Sequence, residues 1–260
     1  MAISLHTNNP ASRAYLGLEK ANDLMKKSLN RLSSGQRIAS IADDAGGLSV
    51  AYKIKSKLVR NEQVVKNLAN ASSFLDLQQG ALGSVGNILS RMSELKTMSL
   101  DVTKNPVDTE NYNKEFKELQ HQLEQIFHQN FNDVSLFSNQ IPKVLFGDAV
   151  GLELLKQSAD DDASGIKRVL DSVYDLKDFD MSDFESFIQA LSNALAVNGA
   201  ESQAVDFKVK ELNQTFFNTE KAHGRIMDAD ISLESTRFAK QNVLLQPSAT
   251  MMFMPVNLVM

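Results

Sequence analysis

Apolar residues recur along much of this chain at alternating steps of three and four. Leu18, Ala21, Met25, Ser28 and Leu32 follow steps of 3, 4, 3 and 4, a narrow seam of coiled-coil type with one polar member. The helix this predicts spans residues 11–34, and Gly35 directly behind it suits a left-handed C-terminal cap. Such a narrow seam needs a partner helix. Asp43 or Asp44 can cap the next helix, because an Asp side chain accepts the free N–H groups of a first turn. That helix is predicted from about Ala45 to about Asp101. Leu82, Val85, Leu89 and Met92 mark its seam, and Gly80, Gly83 and Gly86 weaken it locally without breaking the pattern. At 1.5 Å per residue it would span roughly 80 Å. That length suits a bundle or filament subunit better than a compact domain.

Asn105-Pro106 stops this helix. Asp108 can cap a further one, antiparallel to it, in which Phe116, Leu119, Leu123 and Ile126 step by 3, 4 and 3. Val144-Leu145-Phe146 and Leu152 to Leu155 flank Gly147-Asp148, a β-hairpin signal. Residues 159–183 are Asp-rich and least periodic. Helical pattern resumes near Ser182 with Phe184, Ile188, Leu191 and Leu195, and continues through Val205, Val209, Leu212 and Phe216. After Gly224 a last helix places Ile231, Phe238, Leu245 and Met252 seven residues apart, a heptad seam. Neither terminal helix can bury its stripe alone, and pairing them is the simplest solution. The fold expected is mainly α: an elongated helical bundle or rod with paired terminal coiled-coil helices and a small β-hairpin element.

Composition narrows the function. The chain has 260 residues, 43% of them hydrophobic, and a formal net charge of −5, which argues against a nucleic-acid binder relying on a basic surface. With no cysteine, disulfide frameworks, thiolate metal sites and cysteine nucleophiles are excluded. No basic stretch followed by an apolar core opens the chain, so a cleaved secretion signal is not expected. No apolar run is long enough to cross a membrane as a helix.

Catalytic constellations are thin. His6, His121, His128 and His223 form no His-Glu-x-x-His pair, and each reads as a solvated or capping residue. There is no nucleophile elbow, phosphate-binding loop or dinucleotide fingerprint. Asp160, Asp162, Ser164, Gly165 and Asp171 fall at positions 1, 3, 5, 6 and 12 of a calcium-loop pattern. The last ligand is Asp where a bidentate Glu is required, and Lys167 occupies an apolar position, so a solvated acidic loop is the better reading. Asp171, Asp175, Asp178, Asp180 and Asp183 likewise read as exposed surface. No enzyme activity, catalytic residue, cofactor or metal is expected. Arg91-Met92-Ser93-Glu94-Leu95 reads either as a core seam with a solvated flank or as a surface for another subunit or receptor.

The most specific segments are at the ends. Arg31-Leu-Ser-Ser-Gly-Gln-Arg-Ile38, Ala42-Asp-Asp-Ala-Gly46, Phe131-Asn132 before Val134-Ser-Leu-Phe137, and Arg225 to Asp230 with Glu234 stand in an order that resembles bacterial flagellin. The resemblance covers about residues 1–140 and 182–246. Asn198-Gly199-Ala200 is similar to that family's turn-like Leu-Gly-Ala site. The resemblance implies a structural subunit that polymerises into the flagellar filament for motility, by coupled folding and assembly of its terminal helices. It also implies five stretches: an N-terminal coiled-coil arm (1–42), an N-terminal helical core rod (43–140), an outward-facing variable insert with the hairpin (141–181), a C-terminal helical core (182–224) and a C-terminal coiled-coil arm (225–260). The assembly positions would be Leu18, Met25, Leu32, Ile231, Phe238, Leu245 and Met252.

Further expectations come from the family alone. The protein would be extracellular, in the flagellum, secreted by the flagellar type III apparatus without a cleaved signal. Its partners would be further copies of itself, a cytoplasmic export chaperone, and the hook–filament junction and cap proteins, with no nucleic acid and no membrane. Arg91, Glu94 and Leu95 match a patch that in many flagellins is sensed by an innate immune receptor, or would make lateral contacts. Ser93, Lys96 and Thr97 depart from that patch. Leu195 replaces a common Arg. Pro247 stands where the family usually carries Ala, so a kink or break is expected near Val243 to Gln246. A hook–filament junction protein, or a non-polymerising secreted paralogue or adhesin, would share the terminal pattern. The intact Arg31–Ile38 and Arg225–Asp230 segments favour a flagellin proper.

Overall fold

The structure, a computed structural model, describes residues 9–137, 144–146, 150–152 and 175–252. Among these, α1 covers Asn9–Ser34, α2 Ala45–Ser99 and α3 Pro106–Phe127. Strands β1 (Asn130–Phe131) and β2 (Val134–Ser135) follow, then β3 (Val144–Phe146) and β4 (Val150–Leu152). Helices α4 (Met181–Met227) and α5 (Ile231–Met252) complete the order. The mainly helical fold with a small hairpin is as expected. The described residues fall into two compact units, one drawn from 1–59 and 216–260, the other from 60–215.

In the second unit the predicted seams are the core. Val85, Leu89 and Met92 of α2 are fully buried, as are Phe116 and Leu123 of α3. Each such side chain contributes about 1.5–3 kcal/mol relative to exposure. On α4 the buried stripe is Phe187, Leu191, Ala194 and Asn198, and Leu195, expected on the seam, is 36% exposed. Phe184 and Ile188 pack against the edge of this core. Leu191 leans on Gly86, where a Cβ would come within 3.2 Å of its Cδ2. The Phe116 and Phe179 rings lie 5.5 Å apart, and Phe179 stacks on Phe187 at 6.1 Å.

Several local expectations change. Asn105, not Asp108, is the N-cap of α3: its side chain accepts from the Val107 and Asp108 amides, while Asp108 accepts from the Asn105 amide. This is a reciprocal capping box, with Pro106 at the first helical position where no donor is missed. Asn132 and Asp133 both take positive φ, 50° and 63°, the conformation of a two-residue hairpin turn. They join β1 to β2 in a second antiparallel pair. In the expected hairpin, β3 pairs with β4 in the register Val144↔Leu152, so its second strand starts earlier than Leu152. Residues 153–155 and the calcium-like segment lie outside the described residues.

Asn198-Gly199-Ala200 is no turn; it lies inside α4. Gly224 falls in the last turns of that helix rather than ahead of the next. Helix α5 passes through Pro247 to Met252, so the expected break is absent. Proline removes one backbone donor, and the turns on either side carry the helix across it.

Candidate functional site

The first unit is built where the two ends of the chain meet. Gly35 ends α1 with φ +69°, a conformation that favours glycine. The turned segment lies against the connection between α4 and α5. The Ala229 amide donates to the Gly35 carbonyl at 2.9 Å, the Arg37 amide donates to the Met227 carbonyl at 2.6 Å, and Gln36 bridges Asp228 in antiparallel fashion. The Arg37 guanidinium donates twice to the Ile226 carbonyl. Beneath this clasp Ile38 packs with Ala51 and Met227. Asp44 caps α2 by accepting from the Gly47 amide at 2.8 Å. Asp43 does separate work: it accepts from the Ala39 and Ser40 amides and pairs with Lys27.

From the clasp, α1 and α5 run side by side and antiparallel, Arg31 and Ser28 meeting Glu234 at one end. The face of α1 turned inward is the predicted seam: Ala21 and Ser28 are buried, and Leu18, Met25 and Leu32 half-buried. On α5 the inward face is Glu234, Phe238, Gln241 and Leu245. Phe238 and Leu245 therefore share the face expected of them. Ile231 does not; it is 50% exposed. The side chain of Met252 lies outside the described residues.

Periodicity alone did not reach Glu234, since a charged residue at a seam position reads as solvent-facing. It is 3% exposed and accepts from the Ser28 hydroxyl, from Arg31 and from Arg237 at 2.8 to 3.0 Å. Burial pushes its carboxyl pKa up, but the three hydrogen bonds outweigh that and hold it below its ordinary value. The available signal was the polar Ser28 in the opposite seam with Arg31 one turn on. Among the described residues the buried set of this unit is Ala21, Ile38, Ala51 and Met227 together with the polar Ser28 and Glu234. So small an apolar core leaves polar matching to fix the register of the pair.

The other candidate patch lies in the second unit. Arg91 donates to Glu94 at 2.9 Å and to Glu115 at 2.8 Å, all three exposed. These two carboxylates hold its guanidinium pKa above the ordinary value. Leu95 does not join them: it has no exposed surface, because it continues the seam of Val85, Leu89 and Met92 into the core. Asp175, read from sequence as bare surface, accepts from Asn113 and pairs with Lys117. It thereby anchors the segment that leads into α4, and its pKa is lowered chiefly by Lys117, then by Asn113. His128 caps α3, while His121 is exposed beside Gln125. His6 lies outside the described residues. Among the described residues no group of three or more His, Asp or Glu is placed to hold a metal, and no helix is long and apolar enough to cross a membrane.

The ends that form this clasp are also the parts that match known proteins. The bacterial flagellin N-terminal helical region matches residues 5–141, and the bacterial flagellin C-terminal helical region matches residues 181–254. The chain belongs to the bacterial flagellin family. The flagellin of Halalkalibacterium halodurans is 28% identical over 257 residues, covering 95% of this chain and 94% of that one. The flagellin of Listeria innocua is 26% identical over 271 residues, covering 96% and 94%. The crystal structure of Bacillus cereus flagellin, 26% identical, aligns with a TM-score of 0.39 over 59% of this chain and 88% of that one. Flagellin is a structural family, and its members are subunits of the extracellular flagellar filament. In this flagellin the Arg31–Ile38 and Arg225–Asp230 segments that carried the resemblance are the two strands of the clasp and the helix ends beside it.

Proposed function

We propose that the chain polymerises into the flagellar filament through its paired terminal helices, which complete their folding as subunits assemble. The observation that carries this is the outer surface of the α1–α5 pair. Tyr15, Leu16, Leu29, Ile231, Leu233 and Val243 are 48 to 65% exposed, an apolar coat that a lone subunit leaves in water. Neighbouring copies would cover it, and that burial would offset the entropy of ordering the arms. In this reading residues 1–42 and 225–260 are the assembly arms, 43–140 and 182–224 the core, and 141–181 the outward insert. Leu18, Met25, Leu32, Phe238 and Leu245 hold the two arms together, Ile231 faces a neighbouring copy, and Met252 extends the same heptad. Secretion through the type III flagellar apparatus with an export chaperone, and contacts with junction and cap proteins, follow from the same assignment. An innate immune receptor that reads the Arg91 patch would meet Arg91 and Glu94 without Leu95.

The test is seeded growth. Purified full-length protein is added to filament fragments and viewed by negative-stain microscopy, with long tubes expected. Protein that stays monomeric on good seeds would sink the proposal and point instead to a junction protein or a non-polymerising paralogue. A chain trimmed to residues 31–230 should remain helical and soluble but fail to elongate the seeds.

A further inference from the structure

Asn198 and Gly199 form the one Asn-Gly pair in the 260 residues, and this dipeptide is chemically labile in an unfolded chain. Glycine has no side chain to hinder its backbone nitrogen and the widest choice of backbone angles. That nitrogen can bond to the Asn198 Cγ while the Cγ–Nδ2 bond breaks. The proton lost from the Gly199 amide leaves with Nδ2 as ammonia, and a five-membered imide closes. Water then opens the ring. Breaking the new N–Cγ bond gives aspartate. Breaking the bond from that nitrogen to the main-chain carbonyl carbon gives isoaspartate, whose main chain runs through the former side chain.

The folded chain blocks each step. Both residues lie inside α4, where helical angles hold Cγ away from the next nitrogen and each amide is committed to the carbonyl four residues back. Nδ2, the leaving group, is held by the Leu75 carbonyl at 3.1 Å and by Gln78 Oε1 at 2.9 Å. Asn198 is 3% exposed, which keeps out the water that opens the ring. The products do not fit the same place. A carboxylate at position 198 would turn an acceptor toward two acceptors, a buried charge without a donor. Gln78 cannot turn its amide over to help without releasing the Leu136 carbonyl, to which it donates at 2.8 Å. Isoaspartate would add a main-chain carbon inside a helix of 47 residues and interrupt its hydrogen-bond ladder.

We propose that Asn198-Gly199 is a deamidation site that records time spent unfolded. It is modified in a chain that has not folded and sealed when the second unit folds. Once modified, it bars that unit from folding. This goes beyond the filament reading and does not rest on it.

The experiment holds full-length wild type and Gly199→Ala in mildly alkaline buffer, with and without guanidinium chloride. Peptide mapping by mass spectrometry reads the gain of about 1 Da at Asn198. In denaturant, wild type should be modified there at least about tenfold faster than in native buffer, and faster than at its other asparagines. An added Cβ at Gly199 meets nothing within 4 Å, so Gly199→Ala should fold normally, yet react about tenfold more slowly in denaturant. After dilution from denaturant, brief proteolysis removes chains that have not refolded, and modified chains should be about tenfold depleted among the survivors. Equal rates in native buffer and denaturant would overturn the sealing. A rate at Asn198 no faster than at other asparagines would overturn the site. Modified chains that survive proteolysis in undiminished proportion would overturn the consequence for folding. Gly199→Ala that loses refolding as fast as wild type would place the damage elsewhere and overturn it as well.

Discussion

Ser28 donates its hydroxyl to Glu234 at 3.0 Å across 206 residues of sequence, and this bond sets how the two ends of the chain lie together. Arg31 and Arg237 converge on the other oxygen of the same carboxylate. Removing the carboxylate leaves two guanidinium groups without their counter-charge, one of them 16% exposed at its side chain. Glu234→Ala should therefore cost about 2–3 kcal/mol in the α1–α5 pair, toward the lower end for breaking a buried ion pair because Arg237 reaches solvent. Ser28→Ala removes only one hydrogen bond to a charged group and should cost about 1.5 kcal/mol. Amide exchange along α1 reads both. Equal protection in Glu234→Ala and wild type would show that the cluster does not hold the helices.

The same cluster makes the pair acid-sensitive. The Glu234 carboxyl lies below its ordinary value of 4.5 because hydrogen bonds from Ser28, Arg31 and Arg237 outweigh burial. A carboxyl whose pKa falls on folding adds stability above its unfolded pKa, and that stability is lost as pH falls through the folded value. Asp43, lowered chiefly by Lys27 and then by the Ser40 and Ala39 amides, behaves likewise below 3.8. Protection of α1 and α5 should thus decline from about pH 4.5 downward, with Asp43 contributing at the acid end. Glu234→Gln should be weaker at neutral pH and flatter through the upper part of this window. Identical acid profiles for wild type and Glu234→Gln would remove Glu234 from the account.

What the pattern of apolar residues revealed, and what it hid, divides along the same line. Leu82, Val85, Leu89 and Met92 were legible because large apolar side chains fill that face of α2 without a break. The face of α4 was misread by one step, from Leu195 to Ala194 and Asn198, because its core positions are occupied by a small residue and a polar one. A hydrophobic count weights Leu195 above either, yet Asn198 is 3% exposed and Leu195 36%. Glu234 was hidden for the same reason. The cap of α3 was legible in kind but displaced from Asp108 to Asn105, since both residues participate and only the reciprocal geometry ranks them. The β1–β2 turn was overlooked because Asn-Asp lacks the glycine that usually advertises two positive φ angles.

Two glycines in α2 should respond oppositely to alanine. At Gly47 an added Cβ would run into the Asp44 carboxylate and lie 3.0 Å from Ile38 Cδ1. It would disturb both the cap and the small core of the first unit. Gly47→Ala should cost about 1–2 kcal/mol, the loss of a cap plus modest overpacking. At Gly83 nothing lies within 4 Å of the added carbon, and the residue is exposed in mid-helix. Gly83→Ala should gain about 0.5–1 kcal/mol by lowering the backbone freedom of the unfolded chain. Thermal denaturation of the two variants, with amide exchange to assign each effect to its unit, would expose an error if Gly47→Ala were neutral or Gly83→Ala destabilising.

The last relationship lies in the core of the second unit. Asn198 donates to the Leu75 carbonyl at 3.1 Å and to Gln78 Oε1 at 2.9 Å, and Gln78 in turn donates to the Leu136 carbonyl at 2.8 Å. Both side chains are buried, so neither can exchange a lost partner for water. Asn198→Ala strands the Gln78 acceptor and opens space, and should cost about 2–3 kcal/mol. Gln78→Ala should cost a similar amount and also raise amide exchange around Leu136, where the β1–β2 turn is held down. Because each side chain satisfies the other, the second substitution removes less than the first. The double variant should fall short of the sum by about 1 kcal/mol or more, measured by denaturant unfolding. Strict additivity would mean that α4 and the turn are held to α2 independently, by apolar contact alone, and that Asn198 is in the core for its volume rather than for its hydrogen bonds.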